Sequence, residues 1–165
     1  MQTIAENSFV IENNVLIKYK GKDREVVIPN SVTEIGECAF LNCKNLTNVT
    51  IPNSVIKIGE LAFCGCESLI SITIPNGVSK ICDWTFHSCK SLINIVIPKN
   101  VTEIGGRAFY NCKSLTNITI LNSTTKMGPC VFDYCDNLTI TCPKNSSAER
   151  CAKWKGIPIK RYTNE

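Results

Sequence analysis

The sequence predicts an α/β solenoid: stacked coils in which short strands build a parallel sheet, with short extended and helical turns on the other sides. Three observations predict it. Phe40, Phe63, Phe86, Phe109 and Phe132 stand 23 residues apart, each is followed three residues later by a cysteine and six later by a leucine, and most units carry an alternating apolar pair that ends at a proline. A period of roughly 20–50 residues marks an array in which no unit buries its own apolar face, so stacking supplies the core.

The main strand comes first in each unit. Val26 and Ile28, Val49 and Ile51, Ile72 and Ile74, Ile95 and Ile97, and Ile118 and Ile120 alternate with polar residues, the pattern of a strand buried on one face. Pro29, Pro52, Pro75 and Pro98 follow directly. Proline donates no ladder hydrogen bond, so the strands stop there. Val32, Val55, Val78 and Val101, then Ile35, Ile58, Ile81 and Ile104, point inward from a second extended segment, and Gly36, Gly59, Gly105 and Gly128 turn the chain. Ala39–Phe40, Ala62–Phe63 and Ala108–Phe109 are expected in short helical turns, with Glu37, Glu60 and Asp83 near the positive end. Helices of that length exist only when packed.

The unit reads apolar-x-Ile-Pro-x-x-Val-x-x-Ile-Gly-x-x-Ala-Phe-x-x-Cys-x-x-Leu, five times from Val26 to Leu138. It resembles the BspA-like class of leucine-rich repeat proteins over roughly residues 25–142. That resemblance implies a leucine-rich-repeat right-handed superhelix, an interaction module, and a role in cell-surface attachment or protein–protein recognition. Departures are local: Cys82 replaces the turn glycine in the third unit, Leu121 the proline in the fifth, and Thr85 and Val131 the alanine.

The expected organisation is one continuous domain. Residues 1–24 form an N-terminal hairpin cap turning at Asn13–Asn14, 25–142 the five units, and 143–165 a C-terminal cap. In that last cap a serine-capped helix spans Ser146–Lys155 and an edge strand spans Ile157–Tyr162, with Trp154 expected to pack the helix on the array and Trp84 lying inside the third unit.

Charge divides unevenly. Residues 1–143 carry 12 basic and 12 acidic side chains, whereas 144–165 carry six basic (Lys144, Arg150, Lys153, Lys155, Lys160, Arg161) and two acidic. A neutral array with its aromatics in a buried Phe rung argues against a nucleic-acid groove. The basic cap reads either as a solvated helix face or as a place for an acidic partner. No apolar run is long enough to cross a membrane.

The chain has 11 cysteines. Cys43, Cys66, Cys89, Cys112 and Cys135 leave the same position of stacked units with parallel Cβ vectors, which suits side-by-side packing better than a disulfide torsion, so they read as small buried hydrophobes. Cys38, Cys64, Cys82, Cys130, Cys142 and Cys151 fall outside that rung, and no paired C-x-x-C knuckles occur, so neither metal nor cofactor is expected. An odd count without an N-terminal secretory pattern favours free thiols and a cytoplasmic setting; the family resemblance implies the cell surface instead. Asn45, Asn48, Asn100, Asn117, Asn122, Asn137 and Asn145 begin N-x-Ser/Thr triplets. Sugars on Asn48 and Asn117 would crowd the strand face.

An enzyme is not expected. The single histidine, His87, occupies the variable, solvent-facing place after the repeat phenylalanine, and a rung cysteine pointing inward is badly placed to be its nucleophile. What remains is a surface. The residues alternating with the inward strand positions, Asn48 and Thr50, Ser71 and Thr73, Asn94 and Val96, and Asn117 and Thr119, line the outer side of the sheet as polar columns. They are the candidate site for a protein partner, with a solubilising role for β-compatible residues as the plainer reading. A cytosolic scaffold and a cysteine-rich redox or metal-buffering protein are the alternative functions.

Overall fold

A computed structural model of the chain describes residues 8–123 and 125–161. Two antiparallel strands, β1 (Phe9–Glu12) and β2 (Val15–Tyr19), turn at Asn13 and Asn14, both at positive φ. Each following coil contributes two short strands: β3 (Glu25–Val27) and β4 (Glu34–Ile35), β5 (Asn48–Thr50) and β6 (Lys57–Ile58), β7 (Ser71–Ile72) and β8 (Lys80–Ile81), β9 (Asn94–Ile97) and β10 (Glu103–Ile104), β11 (Asn117–Ile120) and β12 (Lys126–Met127). Strand β13 (Thr139–Cys142), helix α1 (Ser147–Lys155) and strand β14 (Ile159–Arg161) close the C-terminal end; Tyr162 lies outside the described residues.

The first strands of the coils stack in parallel as one side of the solenoid, β3-β5-β7 and β9-β11-β13-β14, and the second strands as another, β1-β2-β4-β6 and β8-β10-β12. Register follows the repeat: Asn117 pairs with Asn94, and Ile118 with Ile95. Apolar residues of both sides meet in one core that includes Val49, Val55, Ile58, Phe63 and Leu69 and their equivalents in other coils. The hairpin extends that core. Leu16 pairs with Ile35, and Tyr19 stacks on Phe40 at 5.2 Å between ring centroids, so a zeroth coil stands before the five legible in the motif. No described helix is long and apolar enough to cross a membrane.

The third side corrects the expectation of helical turns. Among the described residues α1 is the only helix. In the phenylalanine turns, alternate amides cross to the following coil: Phe40, Phe63 and Phe86 donate to the carbonyls of Ala62, Thr85 and Ala108 at 2.8–2.9 Å. The amides between them close tight turns three residues back, as Cys43 N–H does on Phe40 O at 3.1 Å. Two left-handed residues per coil, such as Leu61 and Gly65 or Arg107 and Asn111, permit this alternation. Stacking supplies partners for backbone groups that an isolated helical turn would have to satisfy internally.

The repeat glycines are also corrected: Gly59, Gly105 and Gly128 do not sit at positive φ. A Cβ on Gly59 would lie 2.7 Å from the Glu37 nitrogen, and one on Gly128 2.4 Å from the Gly106 nitrogen. Close approach of successive coils, not a turn, therefore requires glycine. Cys82 holds that place in the third coil, and there the pairing of second strands breaks: β6 and β8 are not joined. On the main side the sheet divides instead between β7 and β9.

At the C-terminal end, Ser146 Oγ accepts from Glu149 N–H at 3.1 Å, and Gly156 ends α1 in the left-handed conformation. The helix packs through Ala148 and Ala152. Trp154 does not pack on the array: it is 82% exposed, with the Lys155 ammonium over its ring. At nine residues, α1 has a narrow buried face, and small side chains let it approach the strands closely.

Candidate functional site

The sheet-face columns are assembled as register demands. Val49, Ile72 and Ile95 turn inward on β5, β7 and β9, which leaves Asn48, Thr50, Ser71, Thr73, Asn94 and Val96 exposed on one continuous face. Asn117 and Thr119 lie in line but are half-buried. Asn117 Nδ2 donates to Thr119 Oγ1 at 3.2 Å, and Asn117 Oδ1 accepts from Thr141 Oγ1 at 2.9 Å. The C-terminal end of the column thus spends its polar groups internally, whereas in the central part Asn94 Oδ1 accepts from Thr116 Oγ1 at 3.4 Å while its side chain stays exposed.

Sequence reasoning missed two features here. Val27 on the face, with Ile70 and Ile93 just before β7 and β9, adds exposed apolar surface beside Val96, the one apolar residue that the sequence had placed there. Where β7 and β9 part, a groove of about 310 Å³ opens, walled by Thr73, Asn76, Asn94, Val96 and Leu121. Leu121 stands where other coils carry proline, a departure that could have pointed to this place.

Charges on the other sides satisfy one another across the stack. Lys57 pairs with Glu34 at 2.6 Å, Lys80 with Glu103 at 2.8 Å, and Glu67 bridges Lys44 and Lys90, with Lys90 lowering its carboxyl. In the cap, Glu149 is buried and draws Arg161 and Lys153 to 2.9 and 2.8 Å; Arg161, then Lys153 and the Asn145 N–H, pull its carboxyl down to about 2. Lys155 binds Asp133. Three of the six basic cap residues are therefore in internal ion pairs, and Arg150 donates to Asn145 O at 3.1 Å and Ser147 Oγ at 3.0 Å, which leaves Lys144 and Lys160 as the less engaged cations.

The rung thiols face the core. Cys66, Cys89, Cys112 and Cys135 each donate S–H to the carbonyl of a phenylalanine in the preceding coil, at 3.0–3.3 Å, while Cys43 at the N-terminal end is only half-buried. Burial, the largest cause, pushes the Cys66 and Cys89 thiols up, away from thiolate character. They are packing groups with a weak hydrogen bond.

His87 is not the solvent-facing residue its place implied. It lies half-buried between Trp84, at 4.8 Å, and Tyr110, at 5.0 Å between ring centroids, and burial followed by Arg107 holds its imidazole below the usual value. Tyr110 meets Tyr134 edge-on at 4.9 Å, and the Arg107 guanidinium covers Trp84 at 4.7 Å. A second row of rings thus runs outside the phenylalanine row. Trp84 and Arg107 share one repeat position and His87 and Tyr110 another, so aligning both positions would have shown that part of the row, whereas Tyr134 stands one place further on, with Ser88 and Asn111.

With sheet face, turns and rungs in place, the comparison with known families is decisive. Residues 3–139 match the BspA type leucine rich repeat region, in six copies. The chain belongs to the BspA-type leucine-rich repeat family. The sixth copy agrees with the zeroth coil built on Leu16 and Tyr19. Solved members of similar shape are bacterial. The chain is similar to a leucine-rich repeat protein of T. pallidum, with 31% identity, a TM-score of 0.77, and 85% of this chain and 71% of that one covered. It is also similar to a leucine rich cell surface protein of Faecalibacterium prausnitzii, with 30% identity, a TM-score of 0.76, and 94% and 41% covered. A leucine-rich repeat protein of Bacteroides ovatus matches at 26% identity and a TM-score of 0.62, with 88% and 46% covered. The chain spans less than half the length of the last two. No functionally curated protein matches it. As a BspA-type array it is of a kind that serves in general as a protein-interaction module.

Proposed function

We propose that this chain is a non-enzymatic protein–protein interaction module of surface-adhesin type that binds its partner through the sheet face, at Asn48, Thr50, Ser71, Thr73, Asn94 and Val96, with Asn117 and Thr119 at the margin. The observation that carries the reading is the exposure of these side chains on a hydrogen-bonded scaffold around the groove between β7 and β9. Amides, hydroxyls and nearby aliphatic groups offer hydrogen bonds and apolar contact without strong electrostatic steering. The surface setting rests on the likeness to the F. prausnitzii cell-surface protein.

The test is capture from extracellular-matrix extract and from whole lysate, comparing wild type with a Thr73→Lys, Asn94→Lys double variant. Both positions are exposed, so the fold should survive, with each change within about 0.5 kcal/mol. A matrix partner lost on substitution supports the reading, and a partner retained by the double variant removes the sheet face from recognition. A cytosolic scaffold is the second reading, favoured by free thiols in the rung, where Cys66 and Cys89 are placed to donate S–H to phenylalanine carbonyls. Labelling of intact cells with an impermeant amine reagent separates the two: surface labelling supports the adhesin and protection the scaffold.

A further inference from the structure

Four coils build the same turn after the main strand. Val32, Val55, Val78 and Val101 donate their N–H groups to the carbonyls of Pro29, Pro52, Pro75 and Pro98 respectively, at 3.0–3.1 Å. The first three turns carry asparagine directly after the proline, and the residue that follows is Ser31 in the first, Ser54 in the second and Gly77 in the third. Asn76–Gly77 is the only asparagine–glycine pair in the sequence. Asn76 also stands on the wall of the groove between β7 and β9, whose lining residues include no ionisable side chain.

We infer that Asn76 is a site of spontaneous deamidation, which places an age-dependent carboxylate on the wall of this groove. The reaction needs only water. The Gly77 nitrogen attacks Asn76 Cγ, the Cγ–Nδ2 bond breaks, and the side-chain NH2 leaves as ammonia with the Gly77 amide proton, which closes a succinimide ring. Water then opens the ring. Attack at Cγ gives aspartate in the ordinary backbone, and attack at the backbone carbonyl gives isoaspartate, with the chain running through Cγ. One water is consumed and one ammonia released, with no change of oxidation state.

The turn favours this chemistry in three ways. Gly77 has no Cβ to shield its nitrogen or to bar the backbone rotation that brings it onto Cγ. Neither reacting group is held: among the described residues, the Gly77 N–H and the Asn76 side-chain amide make no hydrogen bond, and both residues are exposed to water. Asn100 Nδ2 donates to Asn76 O at 2.7 Å and so draws electron density from the peptide whose nitrogen attacks. In the second coil, by contrast, Ser54 is half-buried and its hydroxyl donates to Val32 O at 2.7 Å. The reaction is independent of what the sheet face binds.

Peptide mapping of the protein after incubation in neutral and in mildly alkaline buffer, with isoaspartate labelled by isoaspartyl methyltransferase, tests the site. Aspartate and isoaspartate are expected to accumulate at position 76, faster in the alkaline buffer, while Asn30 and Asn53, which precede serine, react roughly tenfold more slowly. Gly77→Ser should slow position 76 to the rate of those two. A Cβ at Gly77 would meet Ile56 Cγ2 at 3.1 Å, so thermal melts establish that this variant is folded, and the comparison with Asn30 and Asn53 in wild type stands without it. The inference is overturned if Asn76 reacts only in urea and survives in the folded protein, if Asn30 or Asn53 reacts as fast, or if folded Gly77→Ser reacts like wild type.

Discussion

Phe86 and His87 are neighbours in the chain, and each belongs to a row of rings about 5 Å apart, yet one row is buried and the other faces outward. The inner row runs Tyr19, Phe40, Phe63, Phe86, Phe109 and Phe132, with successive centroids 5.0–6.0 Å apart, and its repeat phenylalanines from 40 to 109 are wholly buried. The outer row has Trp84, His87, Tyr110 and Tyr134 at 4.8–5.0 Å. The inner row takes its spacing from the coils, one ring per coil, whereas in the outer row only His87 and Tyr110 are related by the repeat and Trp84 meets His87 within one coil. What differs is the far side of each ring, apolar core for one and water for the other. Ring packing therefore closes the core in the first row and lies at the surface in the second.

The largest break in this comparison should come from Phe86→Ala, which empties an inner place between two stacked rings. A loss of about 3–5 kcal/mol is expected in chemical denaturation; an unchanged midpoint would mean that the inner row does not hold the coils together. Gly59→Ala attacks the spacing on which both rows depend. Its Cβ would meet the Glu37 nitrogen at 2.7 Å, so a loss of about 1–3 kcal/mol is expected, with faster amide exchange at Gly59, whose N–H donates to Ile35 at 2.8 Å.

Tyr110→Ala removes a half-buried ring that meets both His87 and Tyr134, and two aromatic pairs at about 0.5–1.5 kcal/mol each give an expected loss of about 1–3 kcal/mol, below that of Phe86→Ala. A cost near that of Phe86→Ala would erase the distinction between the rows. The smallest effect concerns pH. Burial, then Arg107, lowers the His87 imidazole below 6.5 in the folded state, so on acidification the unfolded chain takes up its proton first. This contribution is complete above the unfolded value and declines as pH falls through about 6.5 toward the folded one. Melting temperatures of wild type and His87→Gln should accordingly converge or cross on going from pH 7.5 to 5.5; parallel curves would show the imidazole free in water.

Much of the architecture was legible because it rests on period. Recurrence of Val, Ile, Phe, Cys and Leu at fixed offsets is enough to set parallel strands, register and the inward rungs. The exposed columns from Asn48 to Val96 followed from strand alternation alone. Legibility failed where a residue's role depends on the next coil. The phenylalanine turn looked helical because Glu, Ala and Phe spacing suits a helix, but amides such as that of Phe63 find carbonyls one coil away, at Thr85. Gly59 looked like a turn residue, although the backbone of Gly36 and Glu37 is what excludes a side chain there. Trp154 looked like an anchor, yet α1 docks through alanines.

By itself the sequence determined the stack: which side chains face inward, in what order, and at what interval, since a 23-residue period leaves one registry in which every apolar rung meets its like. Only the tertiary structure decided what the stack presents. Side chains distant along the chain become neighbours through coil-to-coil contact, so the parting of β7 from β9, the interruption at Cys82 and the outer ring row arise where coils meet. The physical reason is that a repeat motif specifies each coil's interaction with an average neighbour, whereas sites form where particular neighbours depart from the average.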